Sequence, residues 1–95
     1  MGSREAYLEQ RVKELKQLAS RVEELNLMAA LAKVEARIAH DKQVELLAAQ
    51  LDVVRQRLQE LAAAGDETWA ERQRALEGAW TELKGSLGRA AARLK

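Results

Sequence analysis

The sequence predicts an all-α protein in which a long helix and a shorter one pack as an antiparallel coiled-coil hairpin and assemble into a helical bundle. Three observations carry that expectation. The 95 residues contain no proline, and Ala, Leu, Glu, Arg, Lys and Gln dominate them, a composition of strong helix formers. Trp69, Leu76, Trp80, Leu83, Leu87, Ala90 and Leu94 recur at steps of three and four, with Gln73 on the one missing rung. Only a helix brings that spacing onto one face. Val44, Leu47, Leu51, Val54, Leu58 and Leu61 keep the same beat upstream, and Gly65-Asp66 is the only obvious break between the two runs.

The first helix spans about 4–64. Ser3 suits its N-cap and Glu5 complements the dipole in its first turn. Nothing from Arg4 to Ala64 obliges it to stop, so a continuous helix would be about 90 Å long at 1.5 Å per residue. The turn falls at 65–66, where Gly65 suits a left-handed residue after a helix end and Asp66 the cap of the next. The second helix runs over about 67–94. Folding back places Trp69 near Leu61, Trp80 near Gln50 and Leu94 near Ala36. Leu47, Leu51, Val54, Leu58 and Leu61 then close the hairpin against Trp69, Leu76, Trp80, Leu83 and Leu87. The whole chain is a single coiled-coil domain.

Helix 2 covers only the second half of helix 1, yet the first half has its own apolar face. Leu8, Val12, Leu15, Ala19 and Val22 form a stripe with Leu18 and Leu25 beside it, wide enough for three or more packed helices. Between Leu25 and Ala39 the apolar residues, Leu27, Met28, Leu31, Val34 and Ile38, spread round the helix as if enclosed on several sides. An antiparallel homodimer with its twofold axis near Lys33 to Glu35 satisfies both facts. Leu8, Val12, Leu15, Leu18, Val22, Leu25, Met28 and Leu31 would carry that self-association. The alternative is a monomer of three helices, roughly 4–25, 28–64 and 66–94, turning near Asn26 without the Gly or Pro that usually marks such a turn. Asn26 itself suits either a buried register-setting position or an exposed one.

Composition narrows the function. Sixteen basic and fifteen acidic side chains leave almost no net field, which argues against a general nucleic-acid binder. Without cysteine there is no disulfide framework and no thiol chemistry, as suits a reducing compartment. No run approaches the ~18 apolar residues of a membrane span, and a cytoplasmic location is the expectation. His40 is the only imidazole, and Ala36, Arg37, Gln43 and Val44 occupy the positions where further metal ligands would stand. Pairs such as Glu9–Lys13 and Asp52–Arg55 read as surface ion pairs. With no phosphate loop, serine elbow or zinc spacing, the reading is that of a protein without catalysis, cofactor or metal.

The tail offers a second functional class. Lys84, Arg89, Arg93 and Lys95 follow the last acid of the chain, Glu82. Cations near a helix C-terminus complement its dipole. They also suit an amphipathic segment lying on an anionic membrane surface, with Trp80 at the headgroup level. Gly78, Gly85 and Gly88 weaken this helix, making it the looser element.

Several stretches resemble a family of small bacterial coiled-coil proteins described as stress-response proteins. Arg4-Glu5-Ala6-Tyr7-Leu8-Glu9 is similar to its opening, and Asp41-Lys42-Gln43-Val44-Glu45-Leu46 to its central Glu-Lys-Gln-Ile-Glu-Glu stretch. Gly65-Asp66 with Trp69, Ala79-Trp80 with Leu83-Lys84, and the tail of Ala91, Arg93 and Lys95 resemble its end. The chain departs from the pattern at Leu18, His40 and Leu94, where Trp, Tyr and Phe are common. The resemblance implies a helical hairpin with a stress-linked role and supplies no catalytic residue.

Overall fold

The computed structural model describes residues 3–31 and 34–94, with side chains described for 3–31 and 39–93. Among the described residues there are three helices and no strand: α1 (Ser3–Ala30), α2 (Val34–Ala62) and α3 (Trp69–Leu94). They pack into an elongated bundle of 51 × 19 × 17 Å.

The hairpin of α2 and α3 is the most extensive helix pair. Leu47, Leu51, Val54, Leu58 and Leu61 of α2 and Leu76, Trp80, Leu83, Leu87 and Ala90 of α3 are buried in one core, with Trp69 packed against it. The three-and-four spacing produces this arrangement by setting one apolar stripe of each helix against the other. Helix 2 of the sequence reading is therefore α3, two residues shorter at its start.

The turn differs in detail from the sequence expectation. The Gly65 carbonyl accepts the Trp69 N–H at 3.0 Å and the Thr68 N–H at 3.2 Å, so the chain is already winding before α3 begins. Gly65 is not in the left-handed region, and a Cβ there would meet nothing within 4 Å. Asp66 does not serve as the expected cap; its carboxylate is held by Arg4 Nη1 at 2.6 Å.

The larger correction concerns helix 1, which is not one rod over 4–64. Helix α1 ends at Ala30, where the Leu31 N–H donates to the Met28 carbonyl at 3.2 Å. Helix α2 starts at Val34, and α1 lies back along α2 and α3. The long dimension is 51 Å instead of the ~90 Å of a continuous helix. Burial decides the outcome. Folding back removes Leu18, Val22 and Leu25 from water, at about 1.5–3 kcal/mol for each large aliphatic side chain. The helix gives up only a few hydrogen bonds, each worth about 1 kcal/mol net. The break needs no Gly or Pro.

The hairpin-plus-bare-rod architecture is thus replaced by a three-helix bundle within one chain. Its link lies between Leu31 and Val34, later than the Asn26 turn of the three-helix alternative. Asn26 is exposed. The stretch from Leu25 to Ala39, expected to be enclosed, is open along α1: Leu27, Met28 and Leu31 are 59%, 45% and 87% exposed. The side chains of Lys33, Val34, Glu35, Arg37 and Ile38 lie outside the described residues.

Candidate functional site

The seam where α1 closes on the hairpin gathers most of the charged and aromatic side chains that meet across helices. Arg4, Tyr7 and Arg11 follow one another at helical spacing on α1, and Trp69, Glu77 and Trp80 do the same on α3. The first and third helices run parallel, so the two sets meet level with one another. Arg4 lies 4.8 Å from the centroid of the Trp69 ring, and Tyr7 meets the same indole edge-on at 6.1 Å. Arg11 sits 4.4 Å from the Trp80 centroid and 5.3 Å from that of Tyr7. Its Nε donates to the Tyr7 hydroxyl at 3.3 Å, and that hydroxyl donates to Glu77 Oε2 at 3.2 Å. Glu14 and Glu77 flank the same guanidinium at 3.3 and 3.9 Å.

This ladder is built for recognition between helices. Each guanidinium is attracted by the negative face of a ring while its N–H groups reach carboxylates. Arg11 is mostly withdrawn from solvent, with 20% of its side chain exposed. Beside Trp80 a cleft of about 180 Å³ is lined by Glu14, Gln17, Leu18, Arg21, Trp80 and Lys84. That is smaller than the ~300–1,000 Å³ of a typical small-molecule site.

The residues expected to carry self-association divide into two groups. Leu18, Val22 and Leu25 belong to the chain's own core, and Leu8 and Leu15 pack against it. Val12, Met28 and Leu31 remain at the surface. The stripe expected to stand bare is thus largely covered by α2 and α3. The hairpin residues Leu47 to Leu61 and Leu76 to Leu87 come together in one core, with Trp69 packed against it.

The basic tail is engaged within the chain. Arg93 Nη1 donates to Gln43 Oε1 at 2.8 Å, Arg89 Nη2 donates to Ser86 Oγ at 3.2 Å, and Lys84 borders the cleft. Lys95 and the side chain of Leu94 lie outside the described residues. Trp80 is buried beneath Arg11, so contact of its ring with lipid would require α3 to leave the bundle. No helix of the described residues is long and apolar enough to cross a membrane. Among those residues no three His, Asp or Glu side chains converge on a metal-sized point. Of the surface pairs read from the sequence, Asp52–Arg55 is formed at 3.3 Å.

Sequence reasoning missed the ladder because it followed the apolar stripes and gave Arg11 and Glu77 no role. The available signal was Tyr7 flanked by Arg4 three residues before and Arg11 four residues after. No protein-family model matches the chain, and neither a curated protein nor a solved structure does.

Proposed function

We propose that this chain is a non-catalytic helical interaction module that self-associates, with a role in bacterial stress physiology suggested by its resemblance to small coiled-coil stress proteins. The observation that carries the reading is the cluster of Leu27, Met28 and Leu31 at the end of α1, 59%, 45% and 87% exposed. An isolated surface leucine is ordinary; adjacent large aliphatic side chains at one end of a slender bundle suit a partner helix. The ladder between α1 and α3 suits the same reading, since its cations, rings and carboxylates pair with one another across helices.

Sedimentation equilibrium across a range of concentrations tests the proposal. The mass should rise from 10.6 kDa toward twice that value. Leu27→Glu with Leu31→Glu should hold the particle at the monomer mass with helicity intact. A wild-type mass that stays monomeric to millimolar concentration, or a double variant that associates like the wild type, overturns the proposal.

A further inference from the structure

The rows that build the ladder continue one turn beyond it. On α1 the steps of three and four that carry Arg4, Tyr7, Arg11 and Glu14 go on to Leu18 and Arg21, and on α3 Trp80 is followed by Lys84. Along the ladder each cation meets a carboxylate: Arg4 holds Asp66, and Arg11 lies between Glu14 and Glu77. The next step breaks that pattern. Arg21 and Lys84 line the cleft of about 180 Å³ from the two helices, and among the described residues neither takes part in an ion pair.

Two cations that border one small space repel each other, and more strongly where Leu18 and Trp80, both buried, wall off part of the solvent. An anion between them replaces that repulsion with charge-assisted hydrogen bonds. The cleft is too small for a typical metabolite, so the anion is a group of a few heavy atoms. Glu14 narrows the chemistry further. Its carboxylate lines the same cleft and, when ionised, only accepts hydrogen bonds. It repels an oxyanion that has lost every proton and accepts a hydrogen bond from one that keeps a proton. At neutral pH inorganic phosphate retains a P–OH group, whereas sulfate and the phosphodiester of a lipid headgroup have none.

We propose that the cleft between α1 and α3 binds inorganic phosphate, with Arg21 and Lys84 donating to its oxygens and Glu14 accepting from its P–OH group. Gln17, in the same lining, carries an amide that can donate or accept. Because the cations come from two helices, the bound anion ties α1 to α3 within one chain. The site stands apart from the self-associating reading and does not depend on it. Two charge-assisted contacts correspond to a dissociation constant on the order of 1 mM at low salt.

The test is a titration of isotope-labelled protein with inorganic phosphate at neutral pH and fixed ionic strength, followed by nuclear magnetic resonance. The amide signals of Gln17, Arg21 and Lys84 should shift saturably, and sulfate should bind about fivefold more weakly or worse. Arg21→Gln and Lys84→Gln should each weaken phosphate binding about fivefold or more. Arg74→Gln, at an exposed position of α3 outside the cleft lining, should leave it unchanged. Arg21 and Lys84 are exposed as well, so helicity should be intact in every variant. Glu14→Gln should erase the preference over sulfate. One variant needs no ligand: Lys84→Glu should pair with Arg21, raising the thermal midpoint in phosphate-free buffer while abolishing phosphate binding. Shifts that never saturate, or binding that survives both glutamine variants, overturn the site. Sulfate bound as tightly as phosphate by the unaltered chain, or binding only to vesicles containing phosphatidylglycerol, overturns the assignment to phosphate. A Lys84→Glu variant less stable than the unaltered chain contradicts the repulsion on which the proposal stands.

Discussion

The Arg11 guanidinium lies 4.4 Å from the ring centroid of Trp80, closing α1 over an aromatic side chain that is only 5% exposed. A partly desolvated cation on an indole face contributes about 1–2 kcal/mol. Arg11→Ala should therefore lower the unfolding free energy by about that amount in urea titration followed by Trp fluorescence. Arg11→Lys should recover part of the loss, because it restores charge without the planar stack. A change within error of zero for Arg11→Ala would remove the ladder as a source of stability.

Gln50 is a weak point in the bundle: its Oε1 is buried without a hydrogen-bond partner. A buried acceptor left unpaired costs about 1–3 kcal/mol. Gln50→Leu or Gln50→Met should raise stability by about 1 kcal/mol, read as a higher urea midpoint. Destabilisation by either apolar replacement would contradict this description of the site.

Gly78 and Gly88 lie within α3, exposed, with space for a Cβ. Replacing each with Ala should stabilise the protein by about 0.5–1 kcal/mol, seen as a higher thermal midpoint. Gly65→Ala should be close to neutral, because Gly65 has neither a left-handed backbone nor a crowded neighbour. A large loss at Gly65 would mean that the turn needs glycine after all.

Leu83, 0% exposed, and Leu31, 87% exposed, lie at opposite ends of the burial range among the described leucines. Leu83→Ala should cost about 2–5 kcal/mol as a core cavity. Leu31→Ala should leave dilute-solution stability within about 0.5 kcal/mol while weakening association in sedimentation. Equal effects of the two on the monomer would contradict the burial pattern.

The hairpin was legible because periodicity reports which residues share a face. Leu47 to Leu61 and Leu76 to Ala90 occupy the core that their spacing implies. The break between Leu31 and Val34 was not legible, since a helix without Gly or Pro is interrupted here by tertiary burial of Leu18, Val22 and Leu25. Local sequence carries no record of that competition. The width of the α1 face did indicate three packed helices; it did not reveal that all three come from one chain. α3, which holds Gly78, Gly85 and Gly88, packs most extensively on α2. The pairing of Arg11 with Trp80 joins residues 69 positions apart, beyond the reach of any helical periodicity.

Solution scattering on a concentration series, with mass measured on the same samples, addresses the fold-back of α1 most directly. At low concentration the particle should have the 10.6 kDa mass of one chain and a long dimension near 51 Å. At high concentration a species of twice that mass should appear, as self-association requires. A dilute particle of single-chain mass that is already about 90 Å long would contradict the three-helix bundle, because α1 would then stand away from its own hairpin.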